Sequence, residues 1–215
     1  MARTRTKTPT RWGDKEARRK DIVDAARHLL ERRGYQAFNM RDLARGAGVT
    51  VGTVYTYFRN KEELFAVLYA ERLERFHAEI APLCRAAVSA EDLFIEIANR
   101  YRPVYQVFGR ELNVWALVID AAAKESAPSA RPLVEAATQI LSTVHTALDR
   151  LAPRSVRRTD DSDRHLAIPL LWVTLQGLCD HFTGARHLLH PHGWDELTRY
   201  AARTLARAIA GEEDR

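Results

Sequence analysis

The spacing of apolar residues along the chain predicts helices almost throughout. From Asp21 onward, Ile22, Ala26, Leu29 and Leu30 recur every three or four positions and share one helical face. Gly34 stands where a helix of this kind commonly ends. No segment alternates apolar and polar residues between turn dipeptides, as the strands of a sheet would. The fold class predicted from this pattern is all-α.

The same spacing predicts eight further helices. Asn39, Thr50 and Asn60 are suited to cap the second, third and fourth helices, and Pro82 is expected to end or bend the fourth. The predicted helices are Met40–Gly46, Val51–Phe58, Lys61–Ala81, Ala90–Phe108, Glu111–Lys124, Ala130–Leu151, Asp163–Thr183 and Trp194–Ala210. We therefore expect a basic flexible arm over residues 1–20, a small helical domain over 21–66 and a larger helical domain over 67–215.

Two short helices in the small domain, joined by a glycine-containing turn, predict a helix-turn-helix. Small side chains at Ala44 and Ala47 let the helices cross closely, and Gly48 can take the positive φ that a tight turn needs. The second helix then has one face free to enter a DNA major groove. The residues expected to contact DNA are Arg41, Thr50, Gly52, Thr53, Tyr55, Thr56, Tyr57 and Lys61, whereas Tyr35, Phe38 and Phe58 are assigned to the core.

Charge supports a polyanionic partner for the front of the chain. Residues 1–63 hold 15 Lys/Arg against 8 Asp/Glu, and residues 64–215 hold 18 against 20, within a total of +5. A basic front end on a nearly neutral body favours DNA, although basic termini also aid solubility. The arm either lies along the DNA or adds only nonspecific attraction.

Several other classes are disfavoured by the sequence. Cys84 and Cys179 are the only cysteines, and no apolar run approaches the roughly 18 residues of a membrane span. A cytoplasmic setting without membrane contact is therefore expected. The nucleophile-elbow, zinc-protease, Walker and Rossmann motifs are missing, so an enzyme is the less favoured alternative, and no cofactor is expected. The histidines between Cys179 and His192 match no familiar zinc spacing, so we expect solvated side chains and no metal.

A family resemblance sharpens this interpretation. The stretch RDLARGAGVTVGTVYTYFRNKEEL closely resembles the signature of the TetR family of bacterial transcriptional regulators. The resemblance covers about residues 21–64 and implies a homodimeric, ligand-responsive regulator, most simply a repressor. Such a protein binds a palindromic DNA operator and is released by a small lipophilic or aromatic effector. Where family members often carry a lysine, this chain has Val51, which either contacts a thymine methyl group or leaves a phosphate without its usual cation.

The larger domain offers candidates for the two remaining roles. An apolar cavity with a few polar groups is the usual form of a small-molecule site, although aromatic residues at helical spacing are commonly plain core. The candidate effector residues are Phe94, Tyr101, Tyr105, Phe108, Trp115, His145, Trp172 and Gln176. Two apolar stripes predict a four-helix dimer interface, unless they pack within one subunit. They comprise Ile168, Leu171, Leu175, Leu178, Phe182, Leu197, Ala201 and Leu205. A DNA-binding protein with no effector, whose body only dimerises, is a further alternative.

Overall fold

The computed structural model describes residues 15–109, 131–152 and 161–210, except for the side chains of residues 161–165, 167–168 and 208–210. Every regular element in these ranges is helical, which confirms the all-α prediction. Residues 1–14 of the predicted arm, the predicted helix Glu111–Lys124, Trp115 and the side chain of Ile168 lie outside the described residues.

The helices follow the predicted order with small shifts at their ends. They are α1 (Lys15–Ala37), α2 (Met40–Gly46), α3 (Val51–Tyr57), α4 (Lys61–Ala86), α5 (Ala90–Phe108), α6 (Arg131–Leu151), α7 (Asp161–Thr183) and α8 (Trp194–Ala210). A short 3₁₀ helix, Arg186–Leu189, which the sequence pattern did not predict, lies between α7 and α8. In the described ranges, no helix is long and apolar enough to cross a membrane.

The chain divides into two compact units, Met1–Leu64 and Phe65–Arg215. In the first unit α2 packs on α1 and on α3. Its core is fully buried and built from Ile22, Ala26, Leu43, Val54 and Leu64. Gly34 interrupts α1 with φ 69°, so the predicted helix end is a local break after which a last turn continues to Ala37. This break lets the chain turn towards α2.

In the second unit α5 packs against α7 and α8, which also pack against each other. Pro82 was expected to end or bend α4 near Ala81, and the predicted end is wrong because α4 continues to Ala86. Proline removes one helical hydrogen bond, but Ile80 and Cys84 on either side of it are buried. Arg150 of α6 donates to the carbonyl of Cys84 at 2.8 Å, which secures the last turn.

Candidate nucleic-acid interface

The turn between α2 and α3 is a helix-terminating motif that glycine makes possible. The Val49 amide donates to the Ala44 carbonyl at 2.9 Å, and the Gly48 amide donates to the Arg45 carbonyl at 3.3 Å. This pair of bonds is a Schellman motif, which needs a left-handed residue after the helix. Gly48 fills that position with φ 64°. The tight connection predicted from the sequence is therefore present.

Capping side chains define where the two short helices begin. The Asn39 side chain accepts from the Asp42 amide at 2.9 Å, and the Thr50 hydroxyl accepts from the Thr53 amide at 3.1 Å. Both caps satisfy backbone donors that the first turn of a helix leaves without a partner. They fix the register of α2 and α3, so the exposed face of α3 is set by the sequence.

The helix α3 buries one face and exposes the other. Val54 and the adjoining Phe58 are buried, whereas Gly52, Tyr55 and Thr56 are exposed, with half of the Tyr55 surface accessible. Val51, Thr53 and Tyr57 lie at the edges and are half-buried. The exposed face measures about two turns, which is the part of a recognition helix that enters a major groove.

The threonine hydroxyls of this face already have intramolecular partners. The Thr50 and Thr53 hydroxyls lie 2.9 Å apart, and the Thr56 hydroxyl donates to the Gly52 carbonyl at 3.0 Å. A hydroxyl that donates within the helix still has lone pairs to accept a second bond. Thr56 is therefore set to accept from a base amino group, while its own proton stays in the helix.

Nothing within the protein requires glycine at position 52. A Cβ added there would meet only the Thr50 hydroxyl oxygen at 3.8 Å, which is an ordinary contact. The backbone is helical, so an L residue fits it. Glycine in a helix destabilises it relative to alanine. A glycine on this exposed face therefore points to the close approach of an external partner, as predicted from the sequence.

Arg41 of α2 is exposed, and the side chain of the neighbouring Asp42 has three partners within the protein. Its carboxylate accepts from Asn39 at 3.1 Å, from Arg33 at 2.7 Å and from Arg45 at 3.0 Å. These partners, the Asn39 amide first, lower the pKa of Asp42. The carboxylate therefore stays ionised, and Arg33 and Arg45 offset its negative charge next to a surface predicted to meet phosphates.

Lys61, for which a phosphate contact is predicted, has partners within the protein. Its ammonium donates to the Tyr35 carbonyl and lies 3.8 Å from the centre of the Tyr35 ring. The residue is half-buried, and the Tyr35 hydroxyl donates to Glu62 at 3.3 Å. Lys61 thus ties the start of α4 to the end of α1. A phosphate contact at Lys61 stays a prediction.

Comparison with known families decides what this motif is. The model of the tetR family of bacterial regulatory proteins matches residues 22–68, which span α1, the helix-turn-helix and the start of α4. These residues of the chain therefore belong to the TetR family.

Curated relatives match over about a quarter of the chain. The fatty acid metabolism regulator protein of Bacillus subtilis is 38% identical over 55 residues, which are 26% of this chain and 28% of that protein. The transcriptional repressor KstR of Rhodococcus jostii is 45% identical over 58 residues, 27% of each chain. The chain thus spans little more than a quarter of the length of these relatives.

Solved structures extend the likeness to the second unit. The transcriptional regulator FadR of Bacillus subtilis, crystallised in complex with stearoyl-CoA, aligns with a TM-score of 0.57 and 19% identity. The alignment covers 88% of this chain and 98% of FadR. At this identity the likeness shows the fold alone.

Most of the candidate effector residues lie in one cluster of the second unit, in which Trp172 and Gln176 are half-buried. The ring centres of Tyr101 and Trp172 lie 4.9 Å apart, and those of Tyr101 and Tyr105 lie 6.2 Å apart. Phe94, Tyr101, Tyr105 and Phe108 are all buried. Burial raises the pKa of Tyr101 well above its usual value, against the opposing effect of its hydrogen bond with Gln176. Polar groups thus lie among rings in the interior.

The cluster also contains residues that were not predicted from the sequence. Tyr69 of α4 stacks on Phe108 with 4.8 Å between ring centres, and its side chain is hydrogen-bonded to Tyr101. Burial and the nearby Asp180 raise the pKa of Tyr105 to about 12, and the Tyr105 hydroxyl donates to Asp180 at 3.3 Å. The helical spacing from Phe65 to Tyr69 was the available signal.

His145 is a wrong candidate for this cluster. Its side chain is about half exposed on α6 and its Nδ1 atom lies 3.2 Å from Asp149, one turn along the same helix. The apolar residues of α6 that point inward are Leu133, Ala136, Ile140, Val144, Ala147 and Leu148. His145 follows Val144 directly, so helical geometry turns it away from the core.

The predicted dimer seam on α7 also needs correction. Leu171 and Leu175 are buried within one subunit, as is Leu205 on α8. Leu178, Leu197 and Ala201 are half-buried, and the half-buried Phe182 packs edge-on against Trp194 with ring centres 5.6 Å apart. The alternative that these stripes pack within one subunit therefore holds for their best-buried members.

A different apolar stripe on α7 is exposed. Leu166, Leu170 and Val173 are 64%, 50% and 64% accessible, and they recur at spacings of four and three. At about 100° per residue, this stripe lies nearly opposite to Leu171 and Leu175. Spacing alone could not distinguish the two faces, because both are apolar and only packing against α5 and α8 selects one.

The histidines near the end of α7 form intramolecular contacts. The Nε2 atoms of His181 and His190 lie 2.7 Å apart, and His192 Nδ1 lies 2.9 Å from Glu196. His187 Nδ1 lies 2.8 Å from the Gly184 carbonyl oxygen. The sequence suggested solvated histidine side chains, whereas these side chains contact other groups of the protein. Among the described residues, no group of three or more His, Cys, Asp or Glu side chains is arranged to hold a metal ion.

Proposed function

We propose that this chain is a ligand-responsive transcriptional repressor that binds a palindromic DNA operator as a homodimer. The observation that carries the proposal is the helix-turn-helix, in which α3 packs Val54 inward and presents Gly52, Tyr55 and Thr56 outward. In this proposal the chain acts through binding, without a catalytic step.

The DNA contacts proposed for α3 follow from what its face presents. Tyr55 offers a phenolic hydroxyl, Thr56 offers acceptor lone pairs, and Gly52 offers bare backbone. Arg41, one helix earlier, is an exposed guanidinium suited to a phosphate or a guanine edge. Side chains of these kinds at a short helix fit base readout with backbone positioning around it.

The first test selects DNA from a random library and measures binding of the selected duplex by gel shift. We expect an inverted repeat, because a two-fold dimer reads two equal half-sites. Tyr55→Ala should weaken binding at least tenfold without lowering the melting temperature, since half of this side chain is exposed. Selection of no DNA, or full binding by Tyr55→Ala, would contradict the proposal.

The dimer proposal rests on the exposed stripe Leu166, Leu170 and Val173 of α7, which resembles a helix seam left without its partner. Val173→Glu would place a charge in that seam, so light scattering should report a monomer. Val88→Glu is the matched control, because Val88 is 90% exposed between α4 and α5. If both variants keep the wild-type mass, this stripe is not the interface.

The effector proposed for the second unit is a small lipophilic or aromatic molecule. The buried rings of Tyr101 and Tyr105 and the half-buried ring of Trp172 offer apolar contact, and Gln176 and the tyrosine hydroxyls offer orientation. The related fold of FadR was crystallised with stearoyl-CoA, which supports testing acyl-CoA compounds first. A ligand releases DNA only if it binds the DNA-incompetent state more tightly.

A thermal-shift screen with fatty acids, acyl-CoA esters and aromatic lipophiles tests this part. An effector should raise the melting temperature, since a ligand at about 100 times its Kd adds roughly 2.7 kcal/mol. It should also release the operator in a gel shift, and Trp172→Ala should weaken both effects together. A compound that releases DNA equally from Trp172→Ala would place the effector site elsewhere.

A further inference from the structure

A groove lies between α1 and α2 of the first unit. Its volume is about 500 Å³, and Ala25, Leu29, Arg32 and Arg33 of α1 contribute to one wall. Asp42, Arg45 and Gly46 of α2 form the other wall. The groove is open to solvent along one side, so an extended molecule can lie in it without entering the core.

The charged side chains that line the groove carry a net positive charge. Three arginines face one carboxylate, and that carboxylate already accepts from Asn39, Arg33 and Arg45. Arg32 uses its Nε atom on the His28 carbonyl at 3.3 Å, which leaves the terminal nitrogens of its guanidinium outside that bond. Planar guanidinium groups match phosphate oxygens in pairs. The walls therefore suit a phosphate-bearing occupant.

The position of the groove selects among phosphate-bearing molecules. Arg41 and Arg45 are both exposed and stand four residues apart, so they share one face of α2. The first helix of a helix-turn-helix crosses the DNA backbone. A backbone that passes Arg41 can thus continue one helical turn further to Arg45 and the arginines behind it. The DNA sugar-phosphate chain fits this continuity better than a free nucleotide.

We propose that this groove binds phosphates of the DNA backbone that flank the base pairs read by α3. The inference rests on the proposed operator binding and adds a second contact region for it. Arg32 and Arg45 grip the phosphates, while Arg33 with Asp42 and Asn39 holds the groove walls in place. These contacts carry no base information, so they strengthen binding to all duplex sequences alike.

The test compares Arg32→Gln/Arg45→Gln with the wild-type protein on the selected operator and on random duplex DNA. Arg45 is 80% exposed and Asp42 keeps two other partners, so the variant should melt as the wild type does. We expect binding to both duplexes to weaken by the same factor. The slope of log affinity against log salt should fall by about 0.9 for each phosphate that the variant no longer neutralises. Ethylation of the flanking phosphates should cease to interfere with binding of the variant.

Arg85→Gln/Arg131→Gln is the matched control, because it removes the same charge from exposed positions of the second unit. It should keep the wild-type salt slope and ethylation pattern. An unchanged slope and pattern in the groove variant would overturn the groove proposal while leaving operator binding by α3 intact. Weaker binding to the operator alone, with random DNA unaffected, would overturn it as well, because backbone contacts act on every sequence. Failure of the wild type to bind any duplex would instead remove the proposed function itself.

Discussion

Gly52→Ala separates what the protein requires from what DNA requires at the same position. The residue lies in the first turn of α3, its backbone is helical, and a Cβ there meets only the Thr50 hydroxyl oxygen at 3.8 Å. Alanine is more favourable than glycine within a helix by about 0.5–1 kcal/mol. The variant should therefore fold at least as stably as the wild type. Its new methyl group projects from the face that we propose enters the major groove.

The magnitudes have opposite signs in the two assays. In urea or thermal unfolding, we expect a gain of up to about 1 kcal/mol, which is roughly 2–4 °C for a chain of this length. In operator binding, a methyl group between helix and DNA moves α3 outward and loosens base contacts worth about 1–3 kcal/mol each. We expect affinity to fall at least tenfold, equivalent to about 1.4 kcal/mol.

Gly48→Ala is the companion variant with the reverse expectation for stability. Gly48 has φ 64°, and an L side chain in this region costs about 1–2 kcal/mol. This variant should unfold more easily, with DNA binding reduced only as far as the motif is destabilised. If Gly52→Ala binds the operator as tightly as the wild type, α3 does not approach DNA at that residue. If it unfolds more easily, our account of the free space at Gly52 is wrong.

Three further predictions follow from individual contacts. Lys61→Met should lower the free energy of unfolding by about 1–2 kcal/mol in urea, because it removes a charged hydrogen bond and a ring contact. The control Lys20→Met should change this free energy little, because the Lys20 side chain is 77% exposed. Equal effects of the two substitutions would contradict a stabilising role of Lys61. Thr56→Ala should weaken operator binding in a gel shift. Thr138→Ala is the control and should not weaken it, although both substitutions remove a hydrogen bond from the hydroxyl to the carbonyl four residues earlier. Equal binding by the two variants would exclude a DNA contact at Thr56. Folding raises the pKa of Tyr105 from its ordinary value of 10 to about 12, so the folded state favours the neutral side chain. The stability that Tyr105 contributes is therefore complete below pH 10 and is lost as the pH rises from about 10 to 12. Unfolding measured across that range should show this loss, and Tyr105→Phe should reduce it.

Local rules predicted the DNA-binding motif well because its determinants are local. Asn39 and Thr50 cap the helices that follow them, and Gly48 closes the turn, as their side chains and backbone freedom require. Each of these interactions spans only a few residues, so one short stretch of sequence contains both partners. The TetR-family resemblance in this stretch depends on the same residues.

Long-range features escaped the same reasoning. Pro82 was expected to end or bend α4, but the helix continues to Ala86, with buried neighbours on either side of the proline and a hydrogen bond from Arg150 of α6 to its last turn. The phosphate contact predicted for Lys61 stays a prediction, but local rules did not predict that its ammonium donates to the carbonyl of Tyr35, 26 residues earlier. In both cases the partner comes from a different helix, and helical periodicity does not encode which helices meet.

By itself the sequence determined the all-α class, the positions of most helices and the side chains that α3 can present to DNA. Only the tertiary structure decided which of two apolar stripes on α7 is buried, since Leu171 and Leu175 pack inward while Leu166, Leu170 and Val173 stay exposed. It also separated His145, which faces solvent, from the rings that cluster around Tyr101. Periodicity defines the faces of a helix, but packing against α5 and α8 selects the face of α7 that is buried. Burial depends on neighbours that are distant in the chain, so periodicity alone does not predict it.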